Sequence, residues 1–264
     1  MSSTKKSVGA LTVVLAVVGG VALLGAGGTA AFAGARQMVT SDGALQADVQ
    51  GVSSLDLEVG VADVTVEFSA GVEKAELTIE RGSISGWSVN RDGDELKVRS
   101  PRTDFWVFRP FWTGEDQRAT LLLPESLRGI DADLTLDAGS LSVDGDFAEL
   151  DLSVSAGALT VTGTARAVDA EVSAGRAELN LGRAQTVEYT ISAGRLTSTL
   201  TTVPDEVDIE ASAGAAQVTL PRAEYDVRRE LSAGSLDSRL TERPGSGHVV
   251  KVSASAGSVT LREG

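Results

Sequence analysis

The sequence predicts an all-β protein: a parallel two-sheet β-solenoid with coils of about 18–23 residues, preceded by one transmembrane α-helix. Three observations predict it. The triplet Ser-Ala-Gly recurs, its copies ending at Gly157, Gly175, Gly194, Gly214, Gly234 and Gly257, with Asp137-Ala138-Gly139 as a further unit of the same pattern. Successive glycines in this series lie 18, 18, 19, 20, 20 and 23 residues apart. Apolar side chains alternate on both sides of each triplet, and residues 7–35 contain no charge.

Each coil follows from its flanks. Leu150, Leu152 and Val154 precede one triplet, and Val168, Ala170 and Val172 the next. Val187, Tyr189 and Ile191 come before the third, and Val207, Ile209 and Ala211 before the fourth. After the glycines come pairs such as Leu141 and Val143, Leu159 and Val161, and Ala177 and Leu179. A period of two means a strand with one buried face. The strand-corner-strand block keeps a fixed length of 14 residues. That constancy is required if every coil lies in register on its predecessor. The handedness of the crossover stays open. In this reading the turn glycines supply the positive φ of a sharp corner. Alanine fits where two strands converge, and stacked serines bond neighbouring coils or the corner backbone. A ladder of serine nucleophiles is the competing reading, but the sole histidine, His248, cannot serve six serines.

The far loops between blocks grow from four residues to nine and carry Arg166, Arg183, Arg222 and Arg243. Loops on a rigid scaffold are where binding is often placed. Solvated turns that drifted in length are the simpler reading.

The apolar run from Val8 to Ala35 is long enough to span a bilayer, which takes about 20 residues. Lys5 and Lys6 before it, against a single Arg36 after it, predict a cytoplasmic N-terminus and an exported body. A cleaved signal peptide competes, with Ala31-Phe32-Ala33 as a small-x-small cleavage site and a secreted product. The run exceeds the roughly 7–15 apolar residues of such peptides, so a retained anchor is preferred. The domain plan is a cytoplasmic stub and helix over 1–35, a linker over 36–51 and a β-solenoid over 52–264, interrupted by an insertion at about 75–130.

Within that body, Gly60-Val61-Ala62 stands in for the triplet of a first coil, flanked by Leu55, Leu57 and Val59, then Val64, Val66 and Phe68. Ser69-Ala70-Gly71 falls out of register and reads as an ordinary turn. The repeat then lapses until Leu134. "NRDGDE" carries a hairpin signal at Asp92-Gly93 and lacks the spaced oxygens and closing Glu of a calcium loop. "DFWVFRPFW" holds Phe105, Trp106, Phe108, Phe111 and Trp112, five of the eleven aromatics in the chain. This cluster is first read as a plug for an open end of the solenoid. Contact with the membrane interface or with a partner protein follows closely.

Composition narrows the function classes. A formal charge of −14 argues against sequence-independent binding of nucleic acid. With no cysteine there is no disulfide, thiolate metal site or lipidated cysteine. One outward column reads Asp56, Asp133, Asp151, Asp169, Glu188, Asp208, Arg228, Lys251. Solvated surface is preferred there over a cation ladder. Arg229 is the exception to the pattern: its parity places it inward, where other coils have Leu, Ala, Tyr or Ile.

A strand "ATLLLPESL", ending its apolar run at Leu123-Pro124, followed by repeated D-x-S/T-x-S-A-G-x-L-T-V units, resembles a known family. It is the bacterial, actinobacterial-type putative-adhesin family of β-strand-repeat domains of unknown function, with an N-terminal membrane anchor. The resemblance covers roughly residues 50–262. It implies an extracytoplasmic β-solenoid, suggests adhesion, and brings no established catalytic residue. The expected function is a noncatalytic surface module that binds or spaces an envelope protein or glycan, with no catalytic, cofactor or metal site. A second reading is an envelope-stress or signalling accessory acting through the aromatic segment. A carbohydrate-active enzyme ranks third, because the outward positions carry no isolated set of departures from the repeat.

Overall fold

The computed structural model describes residues 44–101 and 117–264. Both the expected transmembrane helix and the aromatic cluster Phe105–Trp112 lie outside the described residues. Among the described residues no helix is long and apolar enough to cross a membrane. Their elements are strands apart from one short 3-10 turn, Glu125–Leu127.

The alternation read from the sequence becomes strand in the expected phase. In Thr186–Ile191, for example, Val187, Tyr189 and Ile191 are buried between outward Thr186, Glu188 and Thr190. These strands pair in parallel and in register with the equivalent strands of neighbouring coils. Val187 lies between Val168 and Val207, and Tyr189 between Ala170 and Ile209. On the opposite face Leu196 lies between Ala177 and Ala216. Strands Ser54–Ser69 and Ile130–Val154 run continuously round the corner, so the two faces belong to one hydrogen-bonded sheet wrapped around a shared core. Each Leu or Val fully buried in these columns contributes roughly 1.5–3 kcal/mol.

From residue 130 to 220 each coil stacks on its predecessor, as expected. At both ends it does not. Coil 249–263 pairs with coil 206–220, through Val250 beside Val207 and Val259 beside Ala216. Its other edge pairs with coil 224–238, through Val250 beside Val227 and Val259 beside Leu236. The last coil in sequence is therefore the penultimate one in space. At the opposite end, Glu95–Arg99 and Arg118–Pro124 pair with the two halves of Ser54–Ser69. They form a coil where no triplet marks one. Ser54–Ser69 also pairs along its length with Ile130–Val154. It is thus held between two coils that both follow it in sequence.

The N-terminal end is closed by antiparallel strands. Ser88–Asp92 pairs with Glu95–Arg99 across the hairpin expected at Asp92-Gly93. Ala75–Arg81 pairs with Arg118–Pro124, and Ala44–Ala47 with Ala75–Arg81. Leu45, Leu77, Trp87 and Val89 fill the interior there. Beyond that end, Gly145 and Gly163 take inward positions that other coils give to Leu181 or Leu200. The space goes to Phe68 and Phe147, whose rings meet edge to face at 5.9 Å.

Candidate interaction surfaces

The corner edge is built differently from the sequence expectation. Of the seven turn glycines, only Gly139 has a positive φ, of 96°. Gly157, Gly175, Gly194, Gly214, Gly234 and Gly257 are needed for another reason, which is crowding between coils. A Cβ on Gly194 would lie 2.5 Å from the Gly175 carbonyl oxygen, and one on Gly214 2.6 Å from that of Gly194. The same collision recurs at 2.7 Å for Gly157, Gly175 and Gly257 and at 2.8 Å for Gly234. The coils come this close because main-chain hydrogen bonds continue round the corner. Ser192 and Ala193 N–H donate to Val172 and Ser173 carbonyls, and Arg195 N–H to that of Gly175.

Alanine and serine also differ from expectation. Ala156, Ala174, Ala193, Ala213, Ala233 and Ala256 are exposed on the outer rim rather than wedged between converging strands. The serines join the coils through their backbone amides. The result is an open furrow of about 850 Å³ along the corner edge, lined by the corner glycines and alanines. Seven corners at about 4.8 Å per step give it a length of about 29 Å. Arg176 and Arg195, paired in register on adjacent coils, flank it.

The acidic column forms with the members that the sequence lists, Asp56 standing beside Asp133. Register places Asp151 beside Asp169, Asp169 beside Glu188 and Glu188 beside Asp208. Burial raises the Asp169 carboxyl to about 6, with Glu188, Asp151 and Glu171 adding repulsion. Asp133 and Asp151 are raised for the same reasons, burial first. Basic residues bracket the column at both ends. Lys251 pairs with Glu206 and stands 3.9 Å from Asp208. Arg99 holds Asp56 at 2.9 Å and also meets Glu58. The second bracket was missed because Glu95–Arg99 was not recognised as a coil strand, although Leu96 and Val98 alternate as one. Among the described residues no group of three or more acidic or histidine side chains converges to hold a metal ion.

Two of the four far-loop arginines pair with acids of neighbouring segments. Arg166 reaches Glu149 at 3.3 Å and Arg243 reaches Glu224 at 2.5 Å. Ala165 and Ala184 face inward and are fully buried at that edge. This edge has the character of solvated turns closing the core.

Phe105, Trp106, Phe108, Phe111 and Trp112 lie outside the described residues, but the roots of their segment do not. The chain leaves strand Glu95–Arg99 at Pro101 and returns through Gln117 to Arg118–Pro124. These are the two strands of one coil. Where other coils join their two strands by three residues, these two are separated in sequence by residues 100–117. Both roots are held: Ser100 Oγ accepts from Gly60 N–H at 2.7 Å, and the Gln117 carbonyl accepts from Asp63 N–H at 2.8 Å. Between those contacts the adjacent corner exposes Val61, at 49%.

No protein-family model matches the chain, and no curated protein matches it in sequence. Solved structures resemble it loosely. A putative cell adhesion protein from Clostridium sporogenes is 11% identical, over 84% of this chain and 98% of that one, with a TM-score of 0.37. A putative adhesin from Bacteroides fragilis is 13% identical, over 83% and 95%, with a TM-score of 0.41. A putative adhesin from Parabacteroides distasonis is 12% identical, over 83% and 95%, with a TM-score of 0.43. Likeness at this level carries no argument about function.

Proposed function

We propose that this chain is a noncatalytic β-solenoid displayed outside the cytoplasm on an N-terminal membrane helix, where it binds or spaces a component of the cell envelope in the manner of an adhesin. One observation carries the reading: an open furrow of about 850 Å³ runs along seven stacked corners. Such a surface suits an extended or repeating partner, an envelope protein or glycan, better than a small substrate that must be enclosed. The charge-free run after Lys5 and Lys6 supports the anchor and its orientation.

A second reading has its own support. Residues 102–116, which lie in sequence between the two strands of one coil, hold the cluster Phe105–Trp112. Tryptophan and phenylalanine are the anchors of many interfaces. In this reading the chain is an envelope-stress or signalling accessory that acts on a membrane partner through that segment.

The absence of cysteine makes a direct test simple. With Thr162→Cys as the only thiol, a membrane-impermeant maleimide should label the protein on intact cells, and the labelled chain should sediment with membranes. Cross-linking on those cells should then capture an envelope protein or glycan. Labelling only after lysis would overturn the reading.

A further inference from the structure

The intercalated end of the stack has a consequence for its dynamics. Among the coils of the stack, coil 224–238 pairs its strands with coil 249–263 alone: Glu224–Leu231 with Val249–Ala254, and Ser235–Ser238 with Ser258–Glu263. The short strand Thr241–Glu242 adds one further pairing, at Glu224 and Tyr225.

The two coils are packed unequally. Coil 249–263 has a complete inward set, with Val250, Val252, Val259 and Leu261 at most 1% exposed. In coil 224–238 the corresponding positions are Val227, Arg229, Leu236 and Ser238. None of these four is fully buried, and Leu231 at the tip is 43% exposed. Arg229 thus has a physical explanation. It faces inward on the outermost coil, where inward means solvent, and both carboxylate oxygens of Glu242 accept from it at 2.6 Å. Asp237 is tied to Arg262 in the coil beneath, also at 2.6 Å. Exposed ion pairs of this kind contribute about 0–1 kcal/mol each and weaken with salt.

The root of the coil is firm by contrast. Tyr225 is fully buried, donates its hydroxyl to the Pro221 carbonyl at 2.7 Å and packs edge-on against His248. Leu240 is buried on the return path.

We propose that residues 227–238 form a flap, hinged at Tyr225 and Leu240, that opens as a unit while coil 249–263 stays in register on coil 206–220. Opening uncovers the edge of a complete apolar coil, with free backbone donors and acceptors along Val249–Ala254 and Ser258–Glu263. The flap is therefore an internal cover over a strand-accepting edge, the exposure that sheet proteins otherwise blunt with inward charge. Arg229 is that charge, placed on the cover itself.

Native-state hydrogen exchange, read residue by residue by mass spectrometry with electron-transfer fragmentation, tests this on the full chain in detergent. Amides in 227–238 should exchange about tenfold or more faster than those of Val249, Ser255 and Ser258, which donate to Asp205, Ala211 and Gly214 on the other side. Higher ionic strength, or Glu242→Gln, should speed the flap about threefold further and leave those three amides unchanged. Equal rates in the two sets, or equal acceleration of both, would show that the coils open together and overturn the proposal.

Discussion

The hydroxyl of Tyr189 lies 2.7 Å from that of Ser198, across a core in which both side chains are completely buried. The two residues sit on opposite faces of one coil, in columns otherwise filled by residues such as Ala170, Ile209, Leu179 and Val218. Among the described residues neither hydroxyl has another partner, and each satisfies the other. Burial also raises the Tyr189 phenol well above its ordinary value, which keeps it protonated.

Removing one partner should strand the other. Ser198→Ala or Tyr189→Phe should each lower stability by about 1–3 kcal/mol in denaturant titrations. The double variant should lose clearly less than the sum. Additive losses would mean that the hydroxyls do not depend on each other.

Corner glycines should fail by collision rather than by backbone strain. Gly194→Ala brings a methyl group against the Gly175 carbonyl and Val172. It should cost about 1–3 kcal/mol, the range for overpacking. Ala193→Ser, one position away and exposed, should stay within about 0.5 kcal/mol. Equal melting temperatures for these two variants would remove crowding as the reason for glycine.

The acidic column should make the stack more stable in mild acid. A carboxyl such as Asp169, raised from 3.8 to about 6, binds its proton more tightly folded than unfolded. Its contribution is full below the unfolded value and is lost as pH rises through 6. Asp133, Asp151 and Asp208 act in the same direction. Asp92, Asp226 and Asp237, held low by Lys97, Arg228 and Arg262, act oppositely and lose their contribution in stronger acid. Melting temperature should therefore rise modestly from pH 7 to about 5 and fall below about 4. Solvent screening at these outward positions keeps the effect small. Asp169→Asn should raise the melting temperature at pH 7 and flatten the rise toward pH 5. A melting temperature that climbs steadily from pH 5 to 7 would contradict this sign.

Coil order can be trapped with disulfides, again because the chain has no cysteine of its own. Gln217 and Thr260 are register partners, about 4.8 Å apart, within disulfide reach. Gln217 and Asp237 stand two steps apart, with Thr260 between them. Cysteines at 217 and 260 should close on oxidation, and those at 217 and 237 should not. The reverse result would restore simple sequential stacking.

The same ends of the stack mark the limit of what the sequence discloses. Columns such as Leu152, Ala170, Tyr189 and Ile209 were readable because alternation depends on the chain's own pleat. Coil order was not, because Val250 fits beside Val207 or Val227 equally well. Inward positions are nearly interchangeable apolar residues, so periodicity does not say which coil is next. The signals that did exist were indirect. Arg229 marked the outermost coil, and the nine-residue far loop supplied the chain needed to double back. The corner glycines were read as positions of positive φ, which holds for Gly139 alone; the crowding at the others was hidden, since a carbonyl from the next coil is not visible in a local motif. The aromatic segment was legible as an exception to the repeat. The coil whose two strands flank it in sequence was not, because that coil has no triplet.

The most direct measurement compares the full chain with a variant in which residues 102–116 are replaced by one glycine. Pro101, that glycine and Gln117 would then form a three-residue corner like those of the other coils. Recognition along the corner edge, with the aromatic segment as its distinctive part, predicts unchanged melting and loss of the envelope component captured by cross-linking on intact cells. Unchanged capture, or collapse of the fold, would contradict it, the second by returning Phe105–Trp112 to the role of a plug.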